Sequence, residues 1–522
     1  MKRAFVTAIL VLLGLAGCRA ARAGDGRLVY GLTLAPSGLD PHVNLSSELG
    51  IPLTSVYDTL VFQDPQTREF VPGLAERWDI SDDGLVYTFY LRQDVTFHDG
   101  TPFNADAVQA NLERITSDTL ASQKARFMLG PFARSEVLDE YTIALYLQEP
   151  YAPLLDSLSQ VYLGMASPTA FERWGTDYQL HQVGTGPFTM VEYSPGDHLL
   201  LRRNPDYAWG PRLYEHSRAQ VSEVEFRFFV DPATRSPALE TGEADVMGEI
   251  PPQDAARLRD DPEYHIQPVP IPGVSLMVFM NSTRPPLDQV EVRQALLYAT
   301  DRPSIVSTVF RNTSPVAYGP LAAVTFGYEP AVEQTYPYDP EQAAALLDSA
   351  GWQDSDGDGI RDREGQPLKL DLVLMSWGYM PEVGQLLAAQ WRTLGIEVES
   401  RVVSYPEALD LAGKGQHHLI PFNSSGSDPD ILRNFFHSEA GTNWSLVANE
   451  ELDRWLEAAV RTNDREERVA LYSQVQMRIM DQALVIPIRD YVNLNGVSAE
   501  VKDLRFDTQG WFPWLIDVSL NR

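Results

Sequence analysis

The chain has 522 residues, is 44% hydrophobic, and carries 72 acidic against 41 basic side chains, a formal charge of −31. That length exceeds what one hydrophobic core fills, so two or three lobes are expected. The acidity excludes nucleic acid as a partner, since binding it requires a basic face. Its plainest reading is a solvated surface in a demanding external medium.

Lys2 and Arg3 precede an apolar stretch from Ala4 to Leu15, shorter than the roughly 20 residues of a spanning helix. Leu15-Ala16-Gly17-Cys18 follows, leading through small residues to the sole cysteine. This segment resembles a bacterial lipobox. It predicts a signal peptide over residues 1–17, acylation of Cys18 and a lipidated tether over 18–26, which leaves the mature chain at −33. An ordinary signal peptide with an incidental cysteine is the alternative. With Cys18 acylated, disulfides, thiolate metal sites and a cysteine nucleophile are excluded. No later segment approaches spanning length, so membrane attachment is expected through the acyl chains alone.

In chain order, the first strand is Leu28-Val29-Tyr30, followed by the loop Ala35-Pro36-Ser37-Gly38-Leu39-Asp40-Pro41. Tyr87, Phe89 and Leu91 alternate with Thr88, Tyr90 and Arg92 as in a strand. Val95 and Phe97 repeat the pattern up to an Asp99-Gly100 turn. Asn104 is placed to cap a helix from about Ala105 to Ile115. Asp231-Pro232-Ala233 opens another helix, and Leu276 to Met280 reads as a buried strand. Val292, Ala295, Leu296 and Ala299 form one helical face that ends before Asp301-Arg302-Pro303. Asp339-Pro340, a cap with proline at the first helical position, starts a helix that stops at Gly351. A further helix spans Pro381 to Leu394. Asn463 or Asp464 caps the next, with Val469, Tyr472, Val475 and Ile479 along one face. This alternation predicts α/β architecture.

Catalytic signatures are absent. There is no G-x-S-x-G elbow, P-loop, complete G-x-G-x-x-G or H-E-x-x-H. His417-His418 is the one adjacent pair among nine scattered histidines, and it reads as a polar loop rather than a metal site. Carboxylate pairs for glycoside hydrolysis carry no signal among 72 acids.

The segment from Gly73 to Asp106 carries the strongest motif: Gly73-Leu74-Ala75-Glu76-Arg77-Trp78, Asp83-Gly84, Tyr87-Thr88-Phe89-Tyr90-Leu91-Arg92, and Asp94-Val95-Thr96-Phe97-His98-Asp99-Gly100-Thr101-Pro102-Phe103-Asn104-Ala105-Asp106. In order after it come Val183-Gly184-Thr185-Gly186-Pro187-Phe188, Arg203-Asn204-Pro205-Asp206-Tyr207, Val292-Arg293-Gln294-Ala295 and Ala350-Gly351-Trp352. Together these blocks resemble the family 5 extracellular solute-binding proteins, the peptide, nickel and oligosaccharide receptors of ABC importers. The resemblance covers nearly the whole mature chain.

It implies a two-lobed periplasmic-binding-protein-like fold (type II, the large cluster C form), with an extra subdomain inserted in the N-terminal lobe. The implied division is lobe I over 27–272, with the insertion at about 46–180, lobe II over 273–485, and a return to lobe I over 486–522. The crossings are expected near Ile271 to Met280 and near Val485 to Val492, segments able to absorb a rotation. The implied function is capture of a peptide-like solute by a monomer and delivery to ABC permease subunits, without catalysis or cofactor. Nickel-chelate or oligosaccharide uptake is the alternative within the family. An extracytoplasmic hydrolase, or a sensory receptor of the same fold, is the alternative from another class.

Two departures bear on the solute. The aspartate that holds a peptide ammonium in dipeptide and oligopeptide receptors corresponds to Ser425, within Asn423-Ser424-Ser425-Gly426-Ser427-Asp428-Pro429-Asp430. The arginine that holds the peptide carboxylate falls near Ser376. A short zwitterion clamped at both ends is therefore not expected. The resemblance places solute contacts at Leu34, Pro36, Asn44, Ser376, Trp377, Tyr379, Asn423, Ser424, Ser425, Ser427, Asp428 and Trp444, where aromatic walls and neutral polar groups prevail. Separately, Asp354, Asp356, Asp358 and Asp362, with Gly359 at position 6, resemble the start of a calcium loop, and a structural calcium is a candidate there. Gly365 stands where a bidentate glutamate would complete it.

Overall fold

The computed structural model describes residues 26–522 apart from Ser37, Leu45 and Ala121. The signal peptide, Cys18 and all of the tether except Gly26 lie outside the described residues. Among the described residues, no helix is long and apolar enough to cross a membrane.

A seven-stranded mixed sheet takes the order Tyr264–Pro270, Val492–Ser498, Val246–Met247, Arg27–Leu32, Glu223–Phe228, His198–Arg203, Phe188–Ser194. A five-stranded sheet takes the order Glu397–Val403, Lys369–Met375, Leu419–Ser425, Gly273–Met280, Val485–Arg489. Each has its own large core, one running from Leu28 to Val518 and the other from Val274 to Ile488. These are the two α/β lobes, I and II. A four-stranded antiparallel sheet, Ala75–Ile80, Val86–Leu91, Thr142–Leu147, Phe132–Asp139, is continuous with the core of lobe I.

The sequence explains the strand types. Gly273–Met280, Val485–Arg489 and Val492–Ser498 are buried at every residue, as strands covered on both faces are; the first two are largely apolar, and the third also buries Asn493 and Asn495. Val86–Leu91 alternates instead, with Tyr87, Phe89 and Leu91 inward. Asn104, Asp231, Asp339 and Asp464 each accept a backbone N–H from the first turn of the helix that follows.

Three local expectations are corrected. Val95 and Phe97 are buried but form no strand. Their loop closes on itself through Phe97 N–H to Thr101 O and a single bridge between Thr96 and Pro102. Val469 is 37% exposed, and the inward position beside it belongs to Arg468, whose charge is matched by Asp428 at 2.7 Å. His417 and His418 are buried rather than looped out: His417 Nε2 lies 2.8 Å from Trp444 O and His418 Nε2 2.9 Å from Pro285 O.

The chain passes between the sheets twice. Ile271-Pro272 joins Tyr264–Pro270 to Gly273–Met280, and Asp490-Tyr491 joins Val485–Arg489 to Val492–Ser498. The two passages lie side by side, with Ile271 N–H donating to Tyr491 O at 2.9 Å. Gly273 starts the second lobe at φ +125°, and a Cβ there would stand 2.3 Å from Ser424 O, so this position requires glycine.

Candidate functional site

Between the lobes lies a cavity of about 930 Å³. Lobe I supplies Ser47, Lys124, Met128 and Tyr162, and the C-terminal segment returns Gln509, Trp511 and Phe512 to the same wall. Lobe II supplies Tyr405, Phe422, Ser424, Ser425, Ser427 and Trp444. A smaller cavity of about 210 Å³ continues toward the passages, lined by Asn423, Tyr491 and Trp511 and sharing Ser424 and Ser425. Both volumes suit a small solute rather than a macromolecule.

The lobes touch around this space. Ser427 Oγ donates to Asp156 Oδ1 of lobe I and accepts from Gln509 Nε2. Ala152 N–H reaches Val460 O at 2.7 Å, Arg461 pairs with Glu149 at 3.1 Å, and the hydroxyls of Ser47 and Ser425 are 3.3 Å apart. These contacts hold the lobes together over the cavity.

The lobe II wall is aromatic and centred on Phe422, whose ring meets Trp444 at 4.8 Å, Trp377 at 5.9 Å and Tyr405 at 6.4 Å. The opposite wall carries donors without acceptors. Lys124 Nζ sits 3.6 Å from the Tyr162 ring centroid and has no hydrogen bond or ion pair among the described residues. Burial pulls its pKa down to about 7. Trp511 Nε1 is buried and also lacks a partner. Three acids of the cavity are occupied, by contrast. Asp428 is held by Arg468, Asp430 by Arg433 at 2.7 Å, and Asp156 by Ser427 and Gln160. Burial, and then the charge of Asp428, raise the pKa of Asp156.

The sequence-predicted residues fall into three groups. Ser424, Ser425, Ser427, Asp428 and Trp444 line the larger cavity and Asn423 the smaller one. Trp444 is only 2% exposed and packs on Phe279 in the core as well. Trp377 and Tyr379 line neither cavity: Trp377 packs against Phe422 of the larger one, and Tyr379 against Phe310. The remaining four are not on either wall: Ser376 is exposed, Leu34 is exposed, Pro36 O accepts from Tyr193 Oη, and Asn44 caps its own turn at Ser46. Sequence reasoning missed Lys124, Phe422 and Trp511.

Asp354, Asp356 and Asp358 bring carboxylate oxygens within 4.8 Å of one another on an exposed turn. The same oxygens cap backbone N–H groups of Gly357, Gly359, Asp358 and Ile360. Asp362, the fourth expected ligand, is turned to Ser355 instead.

A cleft bounded by two lobes, with a cluster of aromatic rings on one wall and unpaired donors on the other, is built to receive a small solute. The family model of the bacterial extracellular solute-binding proteins, family 5 Middle, matches residues 69–445, and the chain belongs to that family. It is 29% identical to the dipeptide-binding protein of Escherichia coli (strain K12), covering 92% of each chain. It is 30% identical to the glutathione-binding protein GsiB of Escherichia coli O1:K1 / APEC, covering 83% of this chain and 82% of that one. Among solved structures it resembles NikA from Brucella suis in complex with Fe(III)-EDTA, with a TM-score of 0.85 and 25% identity over 95% of this chain and 100% of that one. The relatives are binding proteins of transporters, and this protein is a solute-binding protein rather than an enzyme.

Proposed function

We propose that the protein captures a peptide-like solute in this cleft and delivers it, unaltered, to the permease of an ABC importer. In this reading it acts as a monomer at the outer face of a membrane, anchored by acylated Cys18. The supporting observation is the pairing of the aromatic cluster around Phe422 with unpartnered donors at Lys124 and Trp511 across a cavity of about 930 Å³. A peptide offers what that pairing lacks, carbonyl and carboxylate acceptors plus apolar side chains. A carbohydrate offers hydroxyls that both donate and accept, and does not call for a bare ammonium. Closure over the solute supplies the differential affinity by which binding shifts the lobes to the closed state.

Native mass spectrometry of the purified protein tests this directly. The expected result is a co-purified peptide-like solute whose mass is unchanged after release and rebinding. A sugar, a metal chelate or a chemically altered product would contradict it.

A further inference from the structure

We propose that Arg489 binds a carboxylate of the captured solute at the hinge end of the cleft. This rests on the reading that the cleft takes a peptide-like solute, and names the group that fixes one end of it.

Arg489 ends the strand Val485–Arg489, one residue before the chain crosses between the lobes at Asp490-Tyr491. It is 6% exposed. Its guanidinium lies 3.9 Å from the Phe310 ring centroid and 4.7 Å from that of Tyr491. The rings soften its charge but accept none of its N–H bonds. Among the described residues its side chain makes no hydrogen bond and no ion pair, and Nε is buried without a partner. A guanidinium carries five donors in one plane and is strongly disfavoured when buried unmatched. Burial alone lowers its pKa from the ordinary value.

The nearby acids do not supply the match. Asp490 accepts from Ser275 Oγ at 2.9 Å and from Ala323 N–H at 3.0 Å. Glu249 accepts from Tyr491 Oη at 2.6 Å and stands 3.6 Å from Arg235. Glu48 accepts from Thr33 N–H. Of the acids, only Glu249 and Asp490 act on this cation, and both carboxylates are engaged elsewhere, so a planar two-oxygen carboxylate of single charge fits the free guanidinium edge.

Two further observations place a ligand contact here. Tyr491, whose ring touches Arg489, also lines the smaller cavity with Asn423, Ser424, Ser425 and Trp511. In the proposed mode, a solute lying along the end of Leu419–Ser425 sends one terminus past Tyr491 to this corner. Glu249 of lobe I and Tyr379 of lobe II, both electrostatically coupled to Arg489, are non-glycine residues in the left-handed region, at φ 48° and 62°. Such conformations are costly and gather where a ligand is gripped.

The test compares wild type with Arg489→Met and Arg489→Gln against a mixed dipeptide library and the same library with C-terminal amides. The acids should bind wild type about ten- to hundredfold more tightly than the amides, and the variants should lose that preference. Equal binding of acids and amides by wild type, or a preference that survives in both variants, overturns the carboxylate anchor while leaving peptide capture standing. If neither library binds wild type, the peptide reading fails and melting in formate decides Arg489. A melting temperature of Arg489→Met at or above that of wild type without formate, with formate stabilising wild type alone, supports the anchor. A lower one, or equal stabilisation by formate, makes Arg489 a structural residue and overturns it.

Discussion

Arg114 and Arg489 are near twins in surroundings and opposites in pairing. Arg114 sits inside lobe I with its guanidinium 5.0 Å from the rings of both Phe171 and Tyr178, and Arg489 sits at the hinge end of the cleft between Phe310 and Tyr491. Arg114 holds Asp40 through two nitrogens, at 3.0 and 2.5 Å, and lies 2.7 Å from His42 Nδ1. Arg489 holds nothing among the described residues. The buried charge at Arg114 is thus balanced by the chain itself, and the buried carboxyl of Asp58 likewise accepts from Thr185, Tyr207 and Trp209. Lys124 and Trp511 on the cavity wall, and the Arg489 side chain against the Tyr491 ring, have no such partner among the described residues.

The comparison can be broken by mutation. The largest effect is expected from Arg114→Met, which strands the Asp40 carboxylate and should cost about 3–5 kcal/mol in urea unfolding. A loss below about 1 kcal/mol would mean that the pairing inside lobe I adds little, and the contrast with the cleft would lose its meaning. Next is Lys124→Met. Solute-free melting should stay level or rise, because an unmatched ammonium is removed, while affinity for the co-purified solute falls about tenfold or more. A lower melting temperature with unchanged affinity would make Lys124 structural.

A pH effect sharpens the picture at the lobe contact. Burial and Asp428 raise the pKa of Asp156 in the folded protein, so the fold prefers its protonated form. The folded state then binds more protons than the unfolded one above the ordinary carboxylate range, and the stability gained from this group is lost as pH rises from about 4. Asp156→Asn keeps the neutral form at every pH. Its melting temperature should pull ahead of wild type between about pH 4 and neutrality, and a gap that does not vary with pH would contradict the assignment. The smallest effect belongs to the Asp/Gly turn. Its carboxylates already cap their own backbone, so Asp356→Asn should shift melting by no more than about one degree, with or without calcium. A calcium-dependent gap would establish a cation site there.

Much of the architecture is legible in the sequence. Local chemistry marks the helix starts at Asn104, Asp231 and Asp339, and the apolar run from Leu276 to Met280 marks a buried strand. The ordered blocks from Gly73 onward mark the family. Misreadings arose where a distant partner decides the local state. Arg468 displaces Val469 from the inner face because Asp428, 40 residues earlier, neutralises it. Val95 and Phe97 carry a strand's spacing without a neighbouring strand to pair with. At the site, the Ser-rich loop was legible because residue types there replace a known clamp. Lys124 and Arg489 were not, because sequence shows a charge but not whether folding gives it a partner.

The most direct test is a structure of the protein with its captured solute. The account predicts acceptor oxygens of that solute within hydrogen-bonding distance of Lys124 Nζ and of the Arg489 guanidinium. A loaded cleft in which both cations remain bare would contradict it.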